Sequence, residues 1–123
     1  MKKKILVVDD DAAITKVIKL NLEYTGEYEV LTENSAPLAV TAVMNFKPDL
    51  IFLDIMMPEM SGNDIAMELR ENDQSATVPI VFLTGIISRK DTDSMGSIIG
   101  GNRFLAKPVK TEDLFEVIRE ILG

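Results

Sequence analysis

The sequence predicts a doubly wound α/β fold, in which five parallel strands are covered on both faces by five helices. Two observations carry this prediction. Short apolar runs alternate along the chain with segments whose apolar residues recur at helical spacing. Several of these runs are apolar without interruption, which is typical of strands buried on both faces of a parallel sheet. With 123 residues, 46% of them hydrophobic, the chain fits a single domain, predicted over residues 1–123.

Ten segments follow from these patterns. The predicted strands cover residues 5–8, 28–32, 50–53, 80–83 and 103–106, and the predicted helices cover residues 12–24, 36–46, 62–72, 89–99 and 112–122. In the first helix, apolar side chains recur at three- and four-residue spacing from Ile14 to Leu22. The fourth helix has the weakest pattern, because residues 91–97 are poor helix formers and Gly100-Gly101 ends it. This segment is expected to be short or mobile.

Three positions carry signals for a helix start. Asp11 is a candidate capping residue for the first helix, and Ser35 followed by Pro37 marks the second. Thr111 is the predicted N-cap of the last helix, and the two acidic residues after it suit the positive end of the helix dipole.

Composition excludes several kinds of chemistry. There is no cysteine, which excludes disulfides and thiolate metal sites, and no histidine, which excludes Ser-His-Asp catalysis and a phosphohistidine on this chain. The net charge of −7 disfavours direct nucleic-acid binding. The lysines at positions 2–4 resemble the start of a signal peptide, but three aspartates interrupt the apolar run that follows. No apolar run approaches the ~20 residues of a membrane span, so a cytoplasmic location is expected.

Polar residues follow four of the five predicted strands. Asp9-Asp10-Asp11 follows the first strand, Asp54 the third, Thr84 the fourth and Lys107-Pro108 the fifth, whereas the second strand contributes nothing obvious. In open α/β sheets, ligands bind beyond the carboxyl ends of the strands. The sequence therefore predicts a site built from these side chains at one edge of the sheet.

The residue types at this edge suggest phosphoryl chemistry. Crowded carboxylates repel each other and stay ionised only beside a cation, and oxygen ligands of this kind suit Mg²⁺ more than zinc. Lys107 and Thr84 would then neutralise and hydrogen-bond phosphoryl oxygens. Asp54 is best placed as the nucleophile, and the product would be an aspartyl phosphate.

Four motifs in order carry a resemblance to a known family. They are ILVVDD at 5–10, DLIFLDIMMPEMSG at 49–62, PIVFLT at 79–84 and FLAKP at 104–108. Over essentially its full length the chain resembles the receiver domains of bacterial response regulators, which act in two-component signal transduction. The resemblance implies a flavodoxin-like sheet with strand order 2-1-3-4-5.

The resemblance also implies roles at the metal site. Asp54 matches the phosphoacceptor, and Asp9 and Asp10 match the acid pair that holds Mg²⁺, for which Mn²⁺ can substitute. Asp10 and Asp54 are the implied direct ligands, Asp9 acts mainly through water, and the backbone carbonyl of Met56 is the remaining protein ligand.

Further roles are implied around the phosphoryl group. Thr84 matches the hydroxyl that turns toward it, Lys107 the lysine of the family motif, and Pro108 the proline whose preceding peptide bond is usually cis. Phe104 matches the aromatic residue that changes rotamer with Thr84, although phenylalanine lacks the hydroxyl that many relatives carry there. Gly62 is expected to serve a turn that needs positive φ.

Partners follow from the same resemblance. A phosphohistidine on a histidine kinase or a histidine phosphotransfer protein would donate to Asp54, and acetyl phosphate could replace it. The expected docking surface is the first helix, at Ala13, Ile14 and Val17, with the loop at Pro108. The implied output surface is the fourth helix, fifth strand and fifth helix, which would bind a target, an output domain or a second receiver.

The resemblance implies self-phosphorylation and self-dephosphorylation at Asp54, without turnover of a separate substrate. Met56 and Ile86 lie two residues beyond Asp54 and Thr84, beside the path of the hydrolytic water in this family. Both side chains are apolar and bulky, so we expect slow dephosphorylation. Gly85 either keeps space open beside Thr84 or relaxes the loop.

The same residues also allow other interpretations. Taken singly, the aspartates fit a solvated helix start or a turn, Thr84 a strand-end hydroxyl, and Lys107 a solvated charge. A flavin-binding module would need a hydroxyl- or glycine-rich phosphate loop where Asp9-Asp10-Asp11 stands. An aspartyl phosphatase would show a second aspartate at position 56. A receiver-like interaction module that works without phosphorylation remains the main alternative.

Overall fold

The computed structural model describes residues 2–85, 97–99 and 102–123. The strands are β1 (Lys3–Val8), β2 (Tyr28–Glu33), β3 (Leu50–Asp54), β4 (Ile80–Thr84), β5 (Ser97–Ile99) and β6 (Asn102–Ala106). The helices are α1 (Ala12–Glu23), a 3₁₀ turn (Ala36–Leu38), α2 (Ala39–Phe46), α3 (Gly62–Glu71) and α4 (Thr111–Leu122). All five predicted strands are present. Strand β1 begins two residues before its predicted start, and each of the other four is one residue longer than predicted.

The described strands form one sheet in the order β2-β1-β3-β4-β6-β5. Strands β2, β1, β3, β4 and β6 are mutually parallel. These five are the predicted strands, so the predicted order 2-1-3-4-5 is confirmed, and β5 is added at the edge.

The predicted helix over residues 89–99 is wrong at its end. Residues 86–96 lie outside the described residues, but Ser97–Ile99 forms β5 and pairs antiparallel with β6, with Ser97 opposite Phe104 and Ile99 opposite Asn102. The sequence held a signal for this hairpin. Two β-branched residues precede Gly100-Gly101, and a Gly-Gly pair between two strand-like runs is typical of a tight β-turn.

The helix-start predictions have mixed outcomes. Asp11 is the N-cap of α1, and its Oδ1 accepts hydrogen bonds from the amides of Ala13 (3.0 Å) and Ile14 (3.3 Å). Thr111 is not the N-cap of α4, because Lys110 has that role and Thr111 is the first helical residue. The Thr111 hydroxyl instead accepts a hydrogen bond from the Asn21 side chain of α1 at 3.0 Å.

Alternate residues of the central strands face opposite sides of the sheet. Ile5 and Val7 of β1 pack with α1 and α4, whereas Leu6 and Val8 pack with α2 and α3. Burying both sides of the strand explains the uninterrupted apolar run in the sequence. Because the parallel strands also share one direction, the residues that follow them meet at one edge. Within the described residues, no helix is long and apolar enough to cross a membrane.

Candidate functional site

The carboxyl-terminal edge of the sheet brings the predicted site residues together. Asp9 and Asp10 follow β1, Asp54 and Thr84 end β3 and β4, and Lys107 follows β6. Backbone hydrogen bonds fix this edge, since the Lys107 amide donates to the Thr84 carbonyl at 2.8 Å. The strand register therefore places Asp54 and Thr84, which end neighbouring strands, whereas Asp10 lies in the turn between β1 and α1.

Three carboxylates form an acidic cluster at this edge. One oxygen from each of Asp9, Asp10 and Asp54 lies within 4.8 Å of the other two. Asp9 is 0% exposed and Asp54 is 3% exposed, whereas Asp10 is open to solvent. The cluster thus has two buried members and one facing outward, the side from which an ion would enter.

Lys107 lies against the two buried carboxylates. Its Nζ is 2.7 Å from Asp9 Oδ2 and 3.2 Å from Asp54 Oδ1. The contact with the buried Oδ2 of Asp9 is the shorter of the two ion pairs. One ammonium thus faces three carboxylates, which leaves negative charge that this lysine does not compensate.

The charges of the site shift two pKa values. Burial raises the pKa of Asp54, repulsion from Asp9 raises it further, and Lys107 offsets part of the rise. Burial acts to lower the pKa of Lys107, but Asp9 and Asp54 outweigh it, so this pKa is raised. The lysine is therefore charged at neutral pH, while the Asp54 carboxylate carries an electrostatic penalty that a cation would relieve.

The donor set fits a hard divalent cation. All three side chains offer carboxylate oxygens, and one of each lies within 4.8 Å of the other two. Mg²⁺ prefers oxygen ligands and keeps several waters, which suits a cluster with one member open to solvent.

The loop after Asp54 is held close to the start of α3 by Gly62. The Gly62 amide donates to the Ile55 carbonyl at 2.8 Å, and a Cβ at position 62 would lie 2.4 Å from the backbone oxygen of Asp54. Gly62 does not have positive φ, so the predicted reason for this glycine was wrong. It is needed because the backbone approaches too closely for any side chain.

Gly85 and Met56 also lie near the site. A Cβ at Gly85 would meet nothing within 4 Å, so that glycine leaves room that a small side chain could also occupy. The amide of Met56 donates to Asp54 Oδ1 at 3.3 Å, and its side chain is 65% exposed. The predicted ligand role of the Met56 carbonyl stays a prediction.

The predicted switch pair lies on adjacent strands, two residue positions apart in the register, because Thr84 pairs with Ala106 and Phe104 pairs with Phe82. Thr84 is buried and ends β4, and the half-buried Phe104 lies in β6, where its ring stacks on Phe82 with centroids 5.4 Å apart. This contact with the core fits an ordinary packing role, so rotamer switching of Phe104 stays a prediction. The Lys107–Pro108 peptide bond is cis, as expected.

The predicted docking residues differ in exposure. On α1, Ala13 is exposed and Val17 is 56% exposed, whereas Ile14 is half-buried and packs against the core. Pro108 is exposed, beyond the site lysine. Part of the apolar arc of α1 therefore faces solvent, and Ile14 contributes mainly to packing.

Sequence reasoning missed Asn34, directly after β2. Its Nδ2 donates to the backbone carbonyl of Asp9 at 2.8 Å and to Thr15 Oγ1 at 3.0 Å. The second strand therefore does contribute to this edge, which corrects the expectation that it adds nothing. A lone asparagine after a strand is a common turn residue, so only the fold reveals its partners.

A family profile described as the response regulator receiver domain matches residues 5–119. The chain belongs to the response regulator receiver domain family. This confirms the resemblance carried by the four motifs, and receiver domains of two-component signalling share the fold and the acidic edge described above.

Curated receiver proteins are similar over nearly the whole chain. The phosphate regulon transcriptional regulatory protein PhoB of Pseudomonas aeruginosa is 33% identical over 98% of this chain and 52% of its own length. The alkaline phosphatase synthesis transcriptional regulatory protein PhoP of Bacillus subtilis is 34% identical over 99% of this chain and 49% of its own length. The chain thus spans about half the length of the curated relatives it matches.

Solved receiver structures are similar in fold. The chemotaxis protein CheY4 of Vibrio cholerae superposes with a TM-score of 0.83 at 29% identity, covering 99% of this chain and 100% of that one. A response regulator from Desulfuromonas acetoxidans gives a TM-score of 0.80 at 28% identity, covering 98% and 96%.

Proposed function

We propose that this receiver domain is a phosphoacceptor switch that takes a phosphoryl group onto Asp54 in a Mg²⁺-dependent reaction. The observation that carries the proposal is the position of Asp54, which is buried at a strand end within the cluster it forms with Asp9 and Asp10, and whose Oδ1 lies 3.2 Å from the Lys107 ammonium. Keeping a carboxylate ionised in such surroundings costs free energy. A bound cation would offset this cost, and the carboxylate could then act as a nucleophile toward a phosphoryl group.

The donor is a phosphohistidine on a histidine kinase or a histidine phosphotransfer protein. An Asp54 carboxylate oxygen attacks phosphorus, an O–P bond forms, the N–P bond breaks, and the electron pair returns to the imidazole of the donor. A bound Mg²⁺ supplies charge neutralisation for the phosphoryl oxygens. Asp10, Asp54 and the carbonyl of Met56 would hold it, with Asp9 acting through water.

Two residues on neighbouring strands stabilise the transferred group. Lys107 already lies 3.2 Å from Asp54 Oδ1, so its ammonium can shift to a phosphoryl oxygen without crossing the site. Thr84 ends the adjacent strand, where its hydroxyl would donate to another phosphoryl oxygen. With Phe104, it would pass the change to the output surface.

Partners would use different surfaces of the same domain. The kinase or phosphotransfer protein docks on the exposed part of α1, at Ala13 and Val17, and on the loop at Pro108. The segment of the predicted fourth helix, with β6 and α4, binds a target, an output domain or a second receiver. We place the whole reaction in the cytoplasm, within a single domain over residues 1–123 that does not itself bind nucleic acid.

Intact-mass measurement after incubation with acetyl phosphate and Mg²⁺ tests the proposal. The wild-type chain should gain the mass of one phosphoryl group, and chelation of Mg²⁺ or Asp54→Asn should abolish the gain. Asp49→Asn is a matched control, because Asp49 lies at the opposite end of β3, where it bonds the Lys4 amide. A wild-type chain that gains no mass would support the phosphorylation-independent interaction module instead.

A further inference from the structure

Asn34 links three segments that surround the acidic cluster. It follows β2, its Nδ2 donates to the carbonyl of Asp9 at the end of β1, and the same nitrogen donates to Thr15 Oγ1 in the first turns of α1. An amide nitrogen has two hydrogens, so both bonds can form at once. Because the Asp9 carbonyl can only accept a hydrogen bond, the nitrogen and not the oxygen of the Asn34 amide must face it.

The turn that carries Asp10 lies between these two anchor points. On its α1 side, the buried Thr15 hydroxyl also donates to the Ala12 carbonyl at 3.1 Å. On its β1 side, the Asp9 amide donates to the Glu33 carbonyl at 3.1 Å. Within the turn, the Asp11 amide donates to Asp9 Oδ1 at 3.0 Å and so orients that carboxylate.

We infer that Asn34 is a positioning residue that holds the β1–α1 turn in the shape that faces Asp10 and Asp9 toward Asp54. This inference rests on the proposed function, because it concerns the same cation site. Asp10 is exposed and lies in the turn itself, outside both β1 and α1. Without the amide bridge, the turn gains freedom that must be lost again when a cation binds, which lowers affinity.

Calorimetric titration of the full chain with Mg²⁺ tests the inference. Asn34→Ala should raise the dissociation constant about three- to tenfold, the scale of one or two lost hydrogen bonds. The matched control is Asn72→Ala, which removes an asparagine that bonds the Gln74 amide at 2.9 Å in the loop after α3, at the other end of the sheet. An equal rise in both variants, or no rise in Asn34→Ala, would overturn the inference.

A second pair of variants protects the test against misfolding of Asn34→Ala. Thr15→Val removes one partner of the bridge and should raise the dissociation constant, whereas Thr15→Ser keeps the hydroxyl and should restore near-wild-type binding. Equal affinities in these two variants would count against the bridge, since the smaller serine is the more disruptive change for packing.

A metal-free measurement separates this inference from the proposed function. Because the Asp11 amide bonds Asp9 Oδ1 within the turn, its hydrogen exchange should become faster in metal-free Asn34→Ala and stay unchanged in Asn72→Ala. If the wild-type chain binds no Mg²⁺, the proposed function fails, and Asp11 exchange alone still decides the positioning role. Unchanged exchange in Asn34→Ala would overturn it.

Discussion

The role of Gly62 in the structure differs from the role that was predicted for it. Glycine after Met60-Ser61 suggests a turn that needs positive φ, but φ at Gly62 is ordinary and the constraint is space. The missing Cβ lets α3 begin directly against the backbone of Asp54. The backbone position of Asp54, the candidate phosphoacceptor, therefore depends on the absence of a Cβ at Gly62.

Gly62→Ala tests this close approach. A methyl group 2.4 Å from the Asp54 carbonyl forces the backbone apart, so the free energy of unfolding should fall by about 2 kcal/mol, within the usual cost of overpacking. Urea unfolding measures the loss, and the rate of phosphorylation by acetyl phosphate should fall with it. Gly85→Ala is the stability control, because a Cβ there has open space. Equal stability of the two variants would contradict the explanation.

Met56 and Ile86 carry the prediction of a long-lived phosphoryl group. The Met56 side chain is 65% exposed beside Asp54, so it can screen the outer side of the site from water. Replacing both residues with small polar side chains should speed dephosphorylation about tenfold, which equals about 1.4 kcal/mol of barrier. Release of phosphate from the phosphorylated chain at saturating Mg²⁺ measures the rate. An unchanged rate in the double variant would rule out screening by these side chains.

At the scale of elements, α1 protects the exposed edge of the sheet. Strand β2 lies at that edge, and its residue Val30 directs both backbone groups outward. Glu23 accepts from the Val30 amide at 3.0 Å, and Lys19 donates to the Val30 carbonyl. The bond from Val30 also lowers the pKa of Glu23. Two side chains one helical turn apart thus occupy groups that could otherwise pair with another strand.

Removing this pair should open the edge. In the double variant Lys19→Ala, Glu23→Ala, the backbone groups of Val30 lose their partners, so we expect more self-association than in the wild type and a stability loss of about 1 kcal/mol. Sedimentation over a range of concentrations measures association. The charge-matched control Lys16→Ala, Glu68→Ala changes exposed residues of α1 and α3 away from β2. Association no greater than in this control would show that the edge needs no protection.

At the scale of the whole molecule, the crowded carboxylates of the acidic edge lower the stability of the metal-free fold. Burial and repulsion from Asp9 raise the pKa of Asp54, so its ionised form destabilises the metal-free fold. This loss of stability is absent below the ordinary carboxyl pKa of about 4, where Asp54 is protonated in both the folded and the unfolded state. It grows as pH rises and is complete above the raised pKa of the folded state.

Asp54→Asn should therefore stabilise the metal-free chain at pH 7. We expect a gain of about 1 kcal/mol, because a neutral side chain avoids the repulsion and Lys107 keeps its contact with Asp9. Urea unfolding in the presence of a chelator measures the gain, which should shrink as the pH falls toward about 4. Saturating Mg²⁺ should reduce it by stabilising the wild type. A less stable variant at pH 7 without metal would contradict the charge argument.

The sequence by itself determined the sheet, its parallel strands and the residues at their ends, because apolar periodicity and residue type are local properties that the fold keeps. The β5 hairpin and the start of α4 at Thr111 are local features that the sequence prediction misjudged. Only the tertiary structure decided the roles of Asn34 and Gly62, because each depends on the distance to a residue elsewhere along the chain. A hydrogen-bond partner or a close backbone approach leaves no pattern in the sequence around the residue that makes it.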